Sequence, residues 1–135
     1  MPISDNLFKL KRAQEKTLML IKRDPSSKVS YYHILLDKRL KEIIFLIIDR
    51  RFNKLVFPSQ RYATTAGELT EIIISNNLSE MATPTRKIFT KHQNKIQEIL
   101  DSYPREINDE WKFIQDDFNY LEIYKNQLSE AFKAK

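Results

Sequence analysis

The chain has 135 residues, 41% hydrophobic and 30% charged, and a formal net charge of +5, proportions that are typical of a folded, soluble domain. It contains no cysteine, two histidines and one glycine, which excludes disulfides, thiolate or histidine-rich metal sites and glycine-rich phosphate-binding loops. We therefore expect a protein with no metal, no cofactor and no enzymatic activity.

The first predicted element is a helix that Ser4 caps and that continues to about Arg23. The next helix begins after Asp24, because an acidic N-cap followed by Pro25 suits the unpaired amides of a first helical turn. Its apolar residues recur at steps of three or four over five turns, and a second apolar stripe runs beside them. The pattern predicts a long central helix over about residues 26–57.

This central helix is apolar over much of its circumference, including the run IIFLII at residues 43–48. Such a helix packs on several sides, and at about 1.5 Å per residue it is roughly 45 Å long. That length is large for a domain of this size, so we expect a partner chain to cover part of it. The interface candidates are apolar residues of the central and last helices: Ile44, Ile48, Phe52, Trp111 and Phe118.

Three further elements follow the central helix. Residues 59–66 are predicted to form a loop, and a short helix begins at Thr65 with a capping box. A longer helix runs from Pro84 to Pro104, and the last helix begins at Asn108.

These elements predict an all-α fold, a bundle of roughly five helices around the central helix. Residues 1–104 form a helical domain in this interpretation, and residues 105–135 form a C-terminal segment packed on that domain or on a partner. No apolar run exceeds six residues, so no membrane span is expected. The N-terminal stretch lacks the apolar core of a secretory signal, which favours a cytoplasmic location.

Charge is unevenly distributed along the chain. Residues 1–63 contain 14 Lys or Arg against 6 Asp or Glu, whereas residues 64–135 contain 9 against 12. The basic residues on and after the central helix are candidates for binding nucleic acid or an acidic partner: Lys38, Lys41, Arg50, Arg51, Lys54 and Arg61. Their alternative role is to solvate an exposed face. The acidic residues of the second half are expected to form a solvated face: Glu106, Asp109, Glu110, Asp116, Asp117 and Glu122.

Arg86 and His92, in the stretch RKIFTKH, have a spacing that resembles the short motif of HEPN-type ribonucleases, which are also helical. In such a site the histidine would transfer a proton while the arginine bound phosphate. His92 also falls on the apolar stripe of its helix, where a packed core histidine is the ordinary interpretation.

The order of elements over about residues 30–103 resembles the helical A domain of GINS subunits, DNA replication factors of archaea and eukaryotes. The long helix of that family ends with an arginine and then a basic residue followed by an apolar one, matched here by Arg50, Arg51, Lys54 and Leu55. The family then has a leucine before Ser or Thr and a helix with an early aromatic residue, matched by Leu78, Ser79 and Phe89.

The resemblance implies a non-catalytic assembly subunit of a DNA replication complex, which bridges the replicative helicase and partner proteins through helical interfaces. It also implies a hetero-oligomer with sister GINS-type subunits and the helicase, and a contact with DNA. The second interpretation is a small basic helical nucleic-acid-binding protein, including the bundle-type coat proteins of archaeal viruses. The third is a HEPN-like ribonuclease that uses Arg86 and His92.

Overall fold

The computed structural model describes residues 24–133, and in this part of the chain every regular element is helical. The helices are α1 (Pro25–Ile48), α2 (Val56–Ser75), α3 (Ser79–Ser102) and α4 (Trp111–Ala131), with a short 3-10 helix (Phe52–Lys54) between α1 and α2. The all-α prediction is confirmed, with four helices in the described part rather than five. The helix predicted between Ser4 and Arg23 lies outside the described residues.

Helix α1 begins where the sequence predicts. The carboxylate of Asp24 accepts a hydrogen bond from the amide of Ser27 at 3.1 Å, and Pro25 occupies the first helical position. Both features satisfy or remove amide donors that would otherwise lack a partner in the first turn.

The predicted end of the central helix is wrong, because α1 stops at Ile48 and not near residue 57. Arg50 adopts a left-handed conformation with φ of 58°. The amide of Arg51 then donates to the carbonyl of Leu46 at 2.8 Å, and the amide of Arg50 donates to that of Ile47 at 3.0 Å. This is a Schellman motif, which ends a helix and which usually has glycine at the left-handed position. Since arginine occupies that position here, no glycine marks the helix end.

The predicted loop at residues 59–66 is also wrong, because all of it lies within α2. Pro58 falls in the first turn of α2, where its missing amide hydrogen removes no helical hydrogen bond. At its other end α2 stops through the same motif as α1. Asn77 has φ of 51°, and the amide of Leu78 donates to the carbonyl of Ile73 at 2.9 Å.

The last two helices also start at positions different from those predicted. Helix α3 begins five residues before Pro84, which therefore lies inside it. Helix α4 begins at Trp111 and not at Asn108. The Asn108 side chain instead accepts hydrogen bonds from the Tyr103 hydroxyl at 2.6 Å and from the Glu110 amide at 3.0 Å, which closes the turn before α4.

The four helices form one bundle in which α1 packs mainly on α2, α2 on α4, and α4 on α3, with a smaller contact between α3 and α1. Helices α1 and α4 therefore lie at opposite corners. Side chains from all four helices fill the core, and those with almost no exposed surface include Leu36, Ile43, Tyr62, Leu69, Phe89, Ile96 and Leu121. No helix in the described range is long and apolar enough to cross a membrane.

A chain of polar side chains, buried at Tyr62 and His92, connects three of the helices. The Tyr62 hydroxyl on α2 lies 2.7 Å from Nδ1 of His92 on α3, and Nε2 of His92 lies 3.6 Å from the Asp37 carboxylate on α1. Burial lowers the pKa of His92, although the Asp37 charge opposes this shift. The hydrogen bond between Tyr62 and His92 joins α2 to α3, so His92 helps to hold the bundle together.

Asp117 corrects the expectation of a uniformly solvated acidic face. Its side chain is buried between α4 and α2, and the Ser59 hydroxyl donates to its carboxyl group at 2.7 Å. Burial disfavours the charged form and raises the pKa of Asp117 to about 8. Its neighbour Asp116 is exposed, because consecutive helical residues point about 100° apart.

Candidate partner-binding groove

A surface groove of about 850 Å³ lies between the second half of α1 and the first turns of α2. Its lining combines basic and apolar side chains from both helices and from the connection between them: Lys38, Lys41, Glu42, Phe45, Leu46, Asn53, Lys54, Val56, Phe57, Pro58 and Arg61. We call it the basic–aromatic groove. It contains four of the six basic residues that the sequence selects as binding candidates.

Two phenylalanines give the groove an apolar surface that is open to solvent. Phe45 on α1 is 62% exposed and Phe57 on α2 is 71% exposed. Phe45 is two positions from the buried Ile43, and two helical steps turn a side chain to the opposite side of the helix. Phe57 stands in the first turn of α2, where the following helix turn does not cover it.

The groove is basic because its four cations meet a single lining carboxylate, Glu42. Arg61 contacts Glu42 at 3.4 Å, and Arg39, on the buried side of α1, approaches the same carboxylate at 3.7 Å. Lys41 forms an exposed ion pair with Asp37 at 3.0 Å. An exposed ion pair such as this one contributes little to stability, so Lys41 can exchange Asp37 for another carboxylate.

The sequence-predicted basic set is therefore split in two. Lys38, Lys41, Lys54 and Arg61 line the groove. Arg50 and Arg51 lie in the connection after α1, where their contacts serve the local turn. The Arg50 guanidinium lies 5.5 Å from the centre of the Phe52 ring, and Arg51 pairs with Asp49 at 2.6 Å.

No family model, curated protein or solved structure matches the chain. The function must therefore be argued from the residues and from the groove.

The predicted interface residues divide into exposed and packed ones. Ile48 is 76% exposed and lies one turn beyond Phe45 on α1. Ile44 is half-buried and lines a smaller cleft between α1 and α3. The prediction that Phe52 is an interface residue is wrong. Its ring is buried, with its centre 5.1 Å from that of Tyr103, so it contributes no exposed surface.

The two interface candidates on α4 pack largely within the chain. Trp111 and Phe118 are half-buried and lie against the core. The Arg105 guanidinium covers the indole of Trp111 at 4.4 Å from the ring centre. Neither residue belongs to the groove, so the interface that the sequence predicts is not one continuous surface.

Arg86 and His92 are directed to different parts of the surface. Arg86 donates to the Ser129 hydroxyl at 2.9 Å in a cleft between α3 and α4. His92 is buried and lies on the other side of α3, in the cleft with α1 and in contact with Tyr62. This arrangement does not bring the two groups of the HEPN-like motif together within one chain. Within residues 24–133 no group of acidic and histidine side chains is placed to hold a metal ion.

The two exposed phenylalanines were not selected from the sequence, although a signal for one of them was present. Ile34, Lys38, Lys41, Phe45 and Ile48 follow one another at steps of 4, 3, 4 and 3, which places them on one side of α1. This side is opposite the buried residues of the same helix. Phe57 had no such signal, since its exposure depends on where α2 begins.

Proposed function

We propose that this protein is a non-catalytic assembly subunit that binds another protein through the basic–aromatic groove. The observation that carries the proposal is the clustering of exposed apolar side chains beside cations. Among residues 24–133, four large apolar residues are each more than 60% exposed, and all lie on the groove or on the α1 side that leads into it: Ile34, Phe45, Ile48 and Phe57. Contiguous exposed apolar surface with a polar rim is the usual form of a protein-binding site.

The ordinary alternative for such a cationic surface is nucleic acid, and one observation favours it as the second candidate. Phe45 and Phe57 lie among four cations, the combination that single-stranded nucleic acid binds through base stacking and phosphate contacts. Two of those cations, Lys41 and Arg61, already contact Asp37 and Glu42. These pairs lower the net positive charge beside the two rings, and the exposed Ile34 and Ile48 extend the apolar surface beyond them, so the protein partner is preferred.

The specific setting that we propose is a DNA replication complex, with sister GINS-type subunits and the replicative helicase as partners. Its support is the resemblance of residues 30–103 to the GINS A domain. The residues that carry the resemblance at the end of the long helix directly follow the exposed Ile48: Arg50, Arg51, Lys54 and Leu55.

The test of the assembly role compares two exposed apolar residues, Phe57 in the groove and Ile107 outside it. The tagged wild-type chain and the variants Phe57→Glu and Ile107→Glu are purified from the native host, and the co-purifying proteins are identified. Ile107 is also exposed but lies in the turn before α4, so its variant is a matched control. We expect Phe57→Glu alone to lose partners. Retention of the same proteins by all three would contradict the proposal.

The same experiment tests the replication setting and the second candidate. Sister subunits and a helicase among the proteins lost by Phe57→Glu would support the specific setting, and their absence would remove it. A salt titration with a labelled single strand addresses nucleic acid. Phosphate contacts predict a steep loss of affinity as salt rises, and a weak, salt-independent signal would exclude that function.

A further inference from the structure

An exposed stripe on α4 has charge opposite to that of the basic–aromatic groove, so the groove matches a surface of a second copy of this chain by charge. The inference rests on the proposed assembly role alone, independently of the replication setting, and it names a partner for the groove. Its evidence is a pair of exposed stripes, one on α1 and one on α4.

The α1 stripe consists of the exposed or half-exposed residues Ile34, Lys38, Lys41, Phe45 and Ile48. Its steps of 4, 3, 4 and 3 average 3.5 residues, the repeat that lets one helix pack along another with a small crossing angle. The stripe spans 14 residues, or about 21 Å of helix.

The α4 stripe has the same steps and the same length, with the exposed residues Asp116, Tyr120, Ile123, Gln127 and Glu130. Tyr120 and Ile123 in its middle are 44% and 48% exposed. Acidic residues stand at both ends. The α4 stripe is therefore an apolar centre with an acidic border, whereas the α1 stripe and the groove beside it combine apolar and basic residues.

The two stripes cannot meet within one chain, because α1 and α4 lie at opposite corners of the bundle. The charged residues of each stripe have one sign, so a symmetric contact of two α1 stripes would bring cations together. A symmetric contact of two α4 stripes would bring carboxylates together. Only the contact of an α1 stripe with an α4 stripe pairs opposite charges. An antiparallel register that sets Lys38 opposite Glu130 also sets Phe45 opposite Ile123 and Ile48 opposite Tyr120. Asp116 then falls beyond the end of α1, level with the connection that contains Lys54.

We propose that copies of the chain associate head to tail, with the α4 stripe of one copy bound to the α1 stripe and groove of the next. Such a heterologous contact leaves one unused stripe at each end of any open assembly, so it continues until it closes as a ring or grows as a filament. This also gives a physical reason for the basic first half and acidic second half of the sequence.

Two double variants test the inference in the full chain by analytical ultracentrifugation. Phe45→Ala with Phe57→Ala removes the groove aromatics, and Tyr120→Ala with Ile123→Ala removes the centre of the α4 stripe. Alanine keeps the helices, and thermal melts verify the fold. We expect wild type to form concentration-dependent oligomers larger than dimers, weakened by salt, and each variant to raise the dissociation constant roughly tenfold or more.

Mixing the two variants gives the decisive result. Each variant keeps the stripe that the other lacks, so a head-to-tail contact predicts a one-to-one dimer that grows no further. A wild-type chain that stays monomeric would overturn the inference, as would a mixture that forms no dimer. If such a monomer still loses its partners through Phe57→Glu, the assembly role stands and only the identity of the partner is wrong.

Discussion

Helix α2 takes part in two regions that differ in how completely they are closed. On its α4 side, which we call the seam, Ser59 and Gly67 are small, so the two helices approach closely and Ser59 reaches Asp117. On its α1 side, at the basic–aromatic groove, the α2 residues Phe57 and Arg61 are large and an open volume remains. The seam therefore stabilises the chain, whereas the groove leaves apolar surface for a partner.

The largest expected effect separates the two regions by stability. Leu121 is fully buried on α4, and Leu121→Ala should lower the free energy of unfolding by about 2–5 kcal/mol through lost burial and a cavity. Phe57→Ala removes a larger side chain, but one that is mostly exposed, so it should change the free energy of unfolding by no more than about 0.5 kcal/mol. Denaturant titration at low chain concentration measures both. A comparable loss at Phe57 would mean that its ring is covered and that the groove is not open.

The second prediction concerns the pH dependence of the seam. Burial raises the pKa of Asp117 to about 8, so the folded chain keeps a proton that the unfolded chain releases above its ordinary pKa of 3.8. The free energy of unfolding therefore falls as pH rises between about 4 and 8, by at most about 1.4 kcal/mol per pH unit. Asp117→Asn stays neutral and should remove this slope while it keeps an acceptor for Ser59.

The control for this prediction is Asp116→Asn, since Asp116 is exposed. This variant should keep most of the wild-type slope, because burial and not the Asp116 charge is the main cause of the raised pKa of Asp117. His33 and His92 act in the opposite direction, because burial lowers the pKa of each and so favours unfolding as pH falls below about 6.5. The comparison is therefore clearest between pH 7 and pH 8. Parallel wild-type and Asp117→Asn profiles there would show that Asp117 is charged in the folded chain.

The groove and the seam also differ in how much of each could be predicted from the sequence. The N-cap at Asp24 and the periodic core residues Leu36 and Ile43 depend on local patterns, so they were predictable. The end of α1 was not, because the left-handed residue there is Arg50 and no glycine marks it. Because the central helix was predicted to continue to about residue 57, the start of α2 at Val56 was missed. The exposure of Phe57 in the groove was missed for the same reason.

The seam posed a different difficulty, since its polar residues depend on tertiary contacts. Asp116 and Asp117 are identical in type and adjacent in sequence, yet one is exposed and the other meets Ser59 from another helix. No local pattern distinguishes them without the position of α2. The four groove cations are all among the six basic residues selected from the sequence, since helical spacing alone brings Lys38 and Lys41 to one side.

The smallest expected effect tests how tightly the seam is packed. Glycine inside a helix costs about 0.5–1 kcal/mol relative to alanine, so Gly67→Ala on its own should be stabilising. A Cβ at Gly67 would, however, lie 2.9 Å from the hydroxyl oxygen of Tyr124 and 3.2 Å from its ring carbon Cζ. The gain in helix propensity and this crowding should nearly cancel, with a net change within about 0.5 kcal/mol.

A double-mutant cycle with Tyr124→Phe separates the two contributions, because phenylalanine removes the hydroxyl but keeps the ring. Gly67→Ala should be more stabilising in the Tyr124→Phe background than in wild type, by about 0.5 kcal/mol or more. Part of the crowding persists, since the ring carbon remains close. Equal effects of Gly67→Ala in both backgrounds would show that Tyr124 moves aside freely, and that the seam is as adaptable as the groove.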